Sequence, residues 1–183
     1  MEAVVDPGAL ERARHGDASA FDSLVEARVP AMLRTAMAIT GREADARDAV
    51  QDALVSAWRE LGALRDATAF DAWLTRILVN RCRRGLRRAG FVRVHEVSSD
   101  LLTGEAAPRS PDHAAGVVER RALERAFDRL SIDERTILVL HHLDGRAVAD
   151  LAAVLEIPVG TAKSRLFAAR KALERALARE EPR

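Results

Sequence analysis

Apolar residues return every three or four positions over most of this chain, and Gly, Pro and Asp cut the pattern into segments. Asp6-Pro7 predicts a first short helix, with Asp as cap and Pro at the first helical position, ended by His15-Gly16. Asp17 starts a second, whose apolar set is Phe21, Leu24, Val25, Met32, Leu33 and Met37; Pro30 falls inside it and predicts a kink, and Gly41 closes it. A third helix, about Ala44–Leu61, puts Val50, Leu54, Ala57, Trp58 and Leu61 on a buried stripe. Asp45, Asp48, Gln51, Asp52 and Val55 fall on its other side. After a loop over Gly62–Ala67, Thr68-x-x-Asp71 reads as a capping box for a fourth helix with Phe70, Trp73, Leu74, Ile77 and Leu78 as core.

Past Gly90 the period fades. Val94–Gly116 carries Ser98-Ser99, Gly104, Pro108 and Ser110-Pro111, which is linker composition. Some 20 such residues reach about 70 Å when extended and roughly 25 Å as a coil. Helical order returns near Val117, with Leu123, Ala126, Phe127 and Leu130 on one face. Ser131-x-x-Glu134 is a second capping box, opening a helix with Ile137, Leu138 and Leu140 as core, and Gly145 ends it. The last stretch predicts two helices around a tight turn: one over Ala147–Leu155, a break at Glu156–Gly160, and a second capped by Thr161. In that second helix Ala162, Leu166, Ala169, Leu173 and Leu177 form a buried seam. Strand patterns are missing, so the expected fold is all-α. Two small helical domains, 1–93 and 117–183, are joined by a linker over 94–116.

Composition alters this picture little, but charge placement alters it much. The 183 residues carry a net charge of only +1, so no global basicity marks a nucleic-acid protein. From Ala72 to His95, however, there is no acid and there are seven arginines. Arg76, Asn80, Arg83, Arg84 and Arg87 fall at steps of four, three, one and three, one helical stripe beside the core face. Repulsion this dense calls for a polyanion, and the Asn80 amide can both donate and accept at a base edge. The alternative is a set of arginines that only solubilises a core helix. The final helix exposes Lys163, Ser164, Arg165, Phe167, Arg170, Lys171 and Arg175; a short helix crossing behind such a basic one is how a helix-turn-helix enters the major groove. The acidic face around Asp48 and Asp52 is either solvated or docks a basic partner with Val55 at its centre.

Other chemistry is thin. The single cysteine, Cys82, excludes an intrachain disulfide, and His141-His142 point about 100° apart on a helix with no third ligand near, so neither metal nor cofactor is expected. No apolar run approaches the roughly 20 residues that span a bilayer, and the acidic start lacks a leader's charged and apolar pattern. The expected location is the cytoplasm, with no membrane insertion.

Taken together, the motifs resemble those of extracytoplasmic-function sigma factors, the minimal two-domain class of bacterial RNA polymerase sigma subunits. In the first module the resemblance rests on Asp45-Ala-Arg-Asp48-Ala-Val-Gln51-Asp52, Trp58 and Phe70-Asp-Ala-Trp73-Leu74-x-Arg76-Ile77-x-x-Asn80. In the second it rests on Leu130-Ser-x-x-Glu134-Arg135, Gly160-Thr-Ala-Lys163-Ser164-Arg165-Leu166 and Arg170-Lys-Ala-Leu173. The resemblance implies that Asp45, Asp48, Gln51, Asp52 and Val55 bind core RNA polymerase. It implies that Arg65, Thr68, Trp73, Arg76, Asn80, Arg83, Arg84 and Arg87 open and read the −10 element of promoter DNA. It gives Thr161, Lys163, Ser164, Arg165, Phe167, Arg170 and Lys171 the −35 element, and the free surfaces to an anti-sigma protein. The family has no catalytic residues of its own, so no enzyme activity is expected.

Four positions depart from the family pattern. Arg47 stands where Glu is usual, Glu156 where the turn usually has Gly, Ala162 where Val is usual and Ala168 where Arg is frequent. If position 156 needs a left-handed backbone, Glu costs about 1 kcal/mol there. The competing readings are a self-sufficient helix-turn-helix regulator, which would need an α/β sensing domain, and a helical adaptor that uses its charged faces for protein contacts alone.

Overall fold

The computed structural model describes residues 5–93 and 121–180; the expected linker at 94–116 and helix start near Val117 lie outside the described residues. All regular structure among the described residues is helical, in two small domains. The first comprises α1 (Pro7–Arg14), α2 (Ala18–Val25), α3 (Val29–Thr40), α4 (Glu43–Glu60) and α5 (Phe70–Arg93). The second comprises α6, described over 121–128, then α7 (Ile132–Leu138), a π-turn (Val139–Leu143), α8 (Val148–Leu155) and α9 (Val159–Leu177).

Local chemistry explains most of the boundaries. Asp6 accepts from the Gly8 N–H at 2.9 Å with Pro7 in the first turn, and Asp17 accepts from the Ala20 N–H at 3.1 Å, so both expected caps form. The expected kink at Pro30 is instead a break: a 3₁₀ turn over Glu26–Arg28 separates α2 from α3, and Pro30 lies in the first turn of α3. There the missing N–H has no intrahelical partner to lose. Gly41, at φ 74°, closes α3.

Before α5 the expected Thr68/Asp71 capping box is absent. Asp66 accepts from both the backbone N–H and the hydroxyl of Thr68, at 2.8 and 2.7 Å, and heads a 3₁₀ turn over Ala67–Ala69. Asp71 turns instead to Arg28, whose guanidinium also lies 5.1 Å over the Phe70 ring. The second capping box does form: Ser131 donates its N–H to Glu134 Oε2 at 2.8 Å, and the Glu134 N–H donates to Ser131 Oγ at 3.3 Å.

The core follows the expected stripes with instructive exceptions. Phe70, Trp73, Leu74, Ile77 and Leu78 of α5 are buried, and Val79 and Cys82 join them. On α4 the small residues Ala46, Ala49, Ala53, Ser56 and Ala57 are buried with Val50, and Leu61 just past its end is buried too. Trp58, expected in that stripe, lies at the rim with its ring edge-on to Phe21 at 5.2 Å. Met37 and Leu123, also expected inside, are exposed.

The two domains pack against each other. Buried residues of both form one continuous apolar cluster, from Leu10 and Phe70 to Leu140, Leu151 and Leu166. Polar ties cross the same boundary. Thr35 donates to Asp144 at 2.8 Å, Arg146 donates to the Thr75 hydroxyl at 2.6 Å, Arg76 meets Glu156 at 2.6 Å and Arg83 meets Asp133 at 2.9 Å. A crevice of about 820 Å³ remains beside these ties, lined by Arg28, Arg34, Asp71, Leu143 and Asp150 among others.

Candidate nucleic-acid and polymerase interfaces

Three surfaces carry the residues expected to function. On α4, Asp48, Gln51, Asp52 and Val55 are exposed along one side, and Val55 is a large apolar side chain left 43% open to solvent. Asp45 sits lower, half-buried near Arg42 at 3.9 Å. Arg47 folds back on Glu43 at 2.6 Å, so its positive charge is partly answered within the helix and the Asp48/Asp52 edge stays acidic.

The stripe on α5 is not uniform. Asn80, Arg84 and Arg87 are exposed, and their side chains make no hydrogen bond or ion pair among the described residues. Arg76 and Arg83 are drawn to the second domain by Glu156 and Asp133, and the Arg83 side chain is only 19% exposed. The acids missing from the local sequence are therefore supplied from across the domain boundary. Trp73 is buried beside Phe70, with ring centroids 5.8 Å apart, and supports the stripe from below rather than lining it. Arg65 and Thr68 lie exposed on the loop ahead of α5. The Thr68 hydrogen bonds hold the Asp66 carboxyl below its ordinary range, so this loop is stabilised with Asp66 ionised.

The helix-turn-helix is built from α8 and α9. Asp150 accepts from the Ala147 N–H at 3.2 Å at the start of α8, and Leu151, Ala152 and Val154 bury its inner face. The turn is tighter than Glu156–Gly160: α9 begins at Val159, directly after Pro158. Gly160 and Thr161 thus belong to its first turn, and Thr161 is not the cap. Glu156 is the left-handed residue, at φ 53°, and no other non-glycine among the described residues has a positive φ.

Along α9, Ala162, Leu166 and Ala169 are buried, while Leu173 and Leu177 are only half-buried. Lys163, Ser164, Arg165, Phe167, Arg170 and Lys171 all face solvent. Phe167 is 64% exposed, and the Lys171 ammonium stands 5.5 Å from its ring. Arg170 donates to His142 Nε2 at 3.4 Å. Burial, with the charges of His141 and Arg170, lowers the His142 pKa, which keeps that imidazole neutral beside the basic face.

Sequence reasoning missed three positions that organise these surfaces: Asp133, Asp144 and Arg146. Each lies far along the chain from its partner, and no local spacing pairs them. Two further groups have no place in surface chemistry. Burial pushes the Cys82 thiol up to about 12, leaving it an inert core residue. His141 donates from Nδ1 to the Arg146 carbonyl at 2.8 Å, and among the described residues no group of side chains is arranged to hold a metal. No described helix is long and apolar enough to cross a membrane.

Comparison with known proteins meets this geometry at both ends. The profile of sigma-70 region 2 matches residues 24–92, spanning α3 to α5, and that of sigma-70 region 4 matches residues 120–173, spanning the helix-turn-helix. The RNA polymerase sigma-H factor of Pseudomonas aeruginosa is 33% identical, over 94% of this chain and 93% of that protein. The extracytoplasmic-function RNA polymerase sigma factor SigM of Mycobacterium tuberculosis is 35% identical, over 88% of this chain and 79% of its own length. Among solved structures, the sigma factor RpoE of Bartonella quintana, in complex with the anti-sigma factor NepR, superposes with a TM-score of 0.66 at 26% identity. That match covers 86% of this chain and 96% of the other. Two region profiles in the right order, together with relatives matched over 93% and 79% of their own length, place this chain in the extracytoplasmic-function group of the sigma-70 family, as an RNA polymerase sigma factor.

Proposed function

We propose that the chain divides its work among the three surfaces. The α4 edge of Asp48, Gln51, Asp52 and Val55, with Asp45 beneath, binds core RNA polymerase. The α5 stripe of Arg76, Asn80, Arg83, Arg84 and Arg87, with the Arg65–Thr68 loop, engages the −10 element. The outer face of α9, from Lys163 to Lys171, reads the −35 element in the major groove. The working units are residues 1–93 and 117–183, with 94–116 connecting them. The chain contributes no catalytic group; polymerase does the chemistry, in the cytoplasm. An anti-sigma protein, of the kind seen with the Bartonella quintana relative, would cover the same surfaces.

The observation that carries this reading is the pair of basic helix faces, on α5 and α9, set in separate domains, while the acidic edge with Val55 exposed at its centre lies on α4. Phosphate-directed cations supply affinity and the interspersed Asn80, Ser164 and Phe167 supply discrimination. The self-sufficient regulator needs a sensing α/β unit, and the described residues contain no strand. The test is to reverse Asp48 and Asp52 to Lys together. Core polymerase binding is expected to be lost while helicity and melting stay nearly intact. Normal co-purification of the variant with polymerase would show the edge to be merely solvated.

A further inference from the structure

We propose that His142 is a positioning residue for the DNA interface of α9: it holds the Arg170 guanidinium by Nε and leaves both Nη groups free to grip a phosphate. This rests on the reading of α9 as the helix that enters the major groove. A line of contacts runs from the loop before α8 to the outer face of α9. His141 Nδ1 donates to the Arg146 carbonyl at 2.8 Å, which fixes that ring against the backbone. The His142 ring meets it edge to face, with centroids 4.8 Å apart. His142 Nε2 in turn accepts from Arg170 Nε at 3.4 Å.

The π-turn over Val139–Leu143 carries both histidines and presents one to the Arg146 backbone and the other to α9. A guanidinium can only donate, so His142 is the acceptor, neutral and with its proton on Nδ1. Burial, ahead of the charges of His141 and Arg170, holds its pKa below the ordinary histidine value. His142 therefore adds no charge to the basic face; it orders a charge already there. Arg170 lies about three turns past the start of α9 at Val159. The first turns of a recognition helix reach base edges, so a cation this far along meets the DNA backbone. A long side chain already ordered loses less freedom on binding, a gain of roughly two- to tenfold.

The test is a salt series for the full-length chain on a labelled, mixed-sequence DNA duplex, read by fluorescence anisotropy from low ionic strength upward. R170A should flatten the slope of log affinity against log salt by about 0.9, the loss of one phosphate contact. H142A should weaken binding roughly two- to tenfold yet leave the slope unchanged, because the contact still forms after a larger ordering cost. H142Q, whose amide oxygen lies about as far from the backbone as Nε2, should recover most of that loss. H142A/R170A should bind no more weakly than R170A. A flattened slope for H142A would make His142 a charged contact in its own right. An equal loss from H142A in the R170A background would make its role one of folding alone. Either result, or wild-type binding by H142A, overturns the proposal. If K163A/R165A flattens the slope while R170A does not, α9 still faces DNA and only the proposal fails. If neither changes affinity or slope, α9 is not the DNA face and the proposal falls with that reading.

Discussion

Thr35 on α3 donates a 2.8 Å hydrogen bond to Asp144, a residue 109 positions later that follows the π-turn. The π-turn explains why Asp144 can be reached. Its N–H bonds the Val139 carbonyl at 3.1 Å, one residue further back than in an α-helix, and this wider turn carries the side chain over the crevice between the domains. Although the residue as a whole is exposed, its carboxyl tip is desolvated there. Burial raises its pKa, opposed by the Thr35 hydrogen bond and the charges of Arg146 and Arg34.

A pH dependence follows. A raised carboxyl pKa means that the folded, docked state holds the proton more tightly than the unfolded chain does. The contribution of Asp144 to stability is therefore greatest at low pH and declines as pH rises above about 4. Asp144→Asn keeps an oxygen acceptor for Thr35 without the buried charge, and it should raise the melting temperature at pH 7 more than at pH 4.5. Equal shifts at both values, measured by circular dichroism, would count against a desolvated carboxylate.

Removing the second capping box should be felt in the second domain. Ser131→Ala deletes the acceptor for the Glu134 N–H and should destabilise by about 1 kcal/mol. The expected fall in melting temperature is about 2–4 °C. A change within error would mean that tertiary packing alone holds α7.

The exposed end of the α5 stripe separates positioning from reading. Arg87→Ala should weaken holoenzyme binding on all promoters alike and make its salt dependence shallower, since one phosphate contact is lost. Asn80→Ala should weaken it according to the −10 sequence. An unchanged salt slope for the first, or a uniform loss for the second, would reverse these assignments.

Phe167 offers a test on α9. An aromatic ring this exposed adds nothing to the core, so Phe167→Ala should leave the melting temperature within about 1 °C, in the range of ordinary surface substitutions. If the ring packs against a thymine methyl in the major groove, holoenzyme affinity should fall about tenfold, but only on −35 elements with thymine at that position. A loss indifferent to sequence would make Phe167 a backbone contact.

Much of this molecule was legible along the chain because its signals are local. The caps at Asp6, Asp17 and Ser131, the Gly41 stop and the buried residues of α5 all depend on neighbours within one or two turns. What periodicity could not show was depth. Trp58, Met37 and Leu123 lie at suitable angles, yet they remain exposed, while the small residues Ala46, Ala49, Ala53 and Ala57 take the buried positions of α4. The Thr68/Asp71 box failed because a competing acceptor, Asp66, stands two residues ahead and Arg28 claims Asp71. The sequence spacing put Arg76 and Arg83 on one helix, but the acids that pair with them, Glu156 and Asp133, come from another domain. No local pattern contains that information.

A lone module burying well under 1,000 Å² on DNA binds only weakly at physiological salt. The isolated chain should accordingly show little preference between promoter and random duplex. The most direct test of the account is run-off transcription with purified core polymerase on a library of genomic fragments, with and without the chain. The account predicts that core plus chain initiates from a discrete set of fragments sharing a −10 and a −35 sequence, while core alone does not. Initiation unchanged by the chain, with tight sequence-selective binding by the chain on its own, would contradict it.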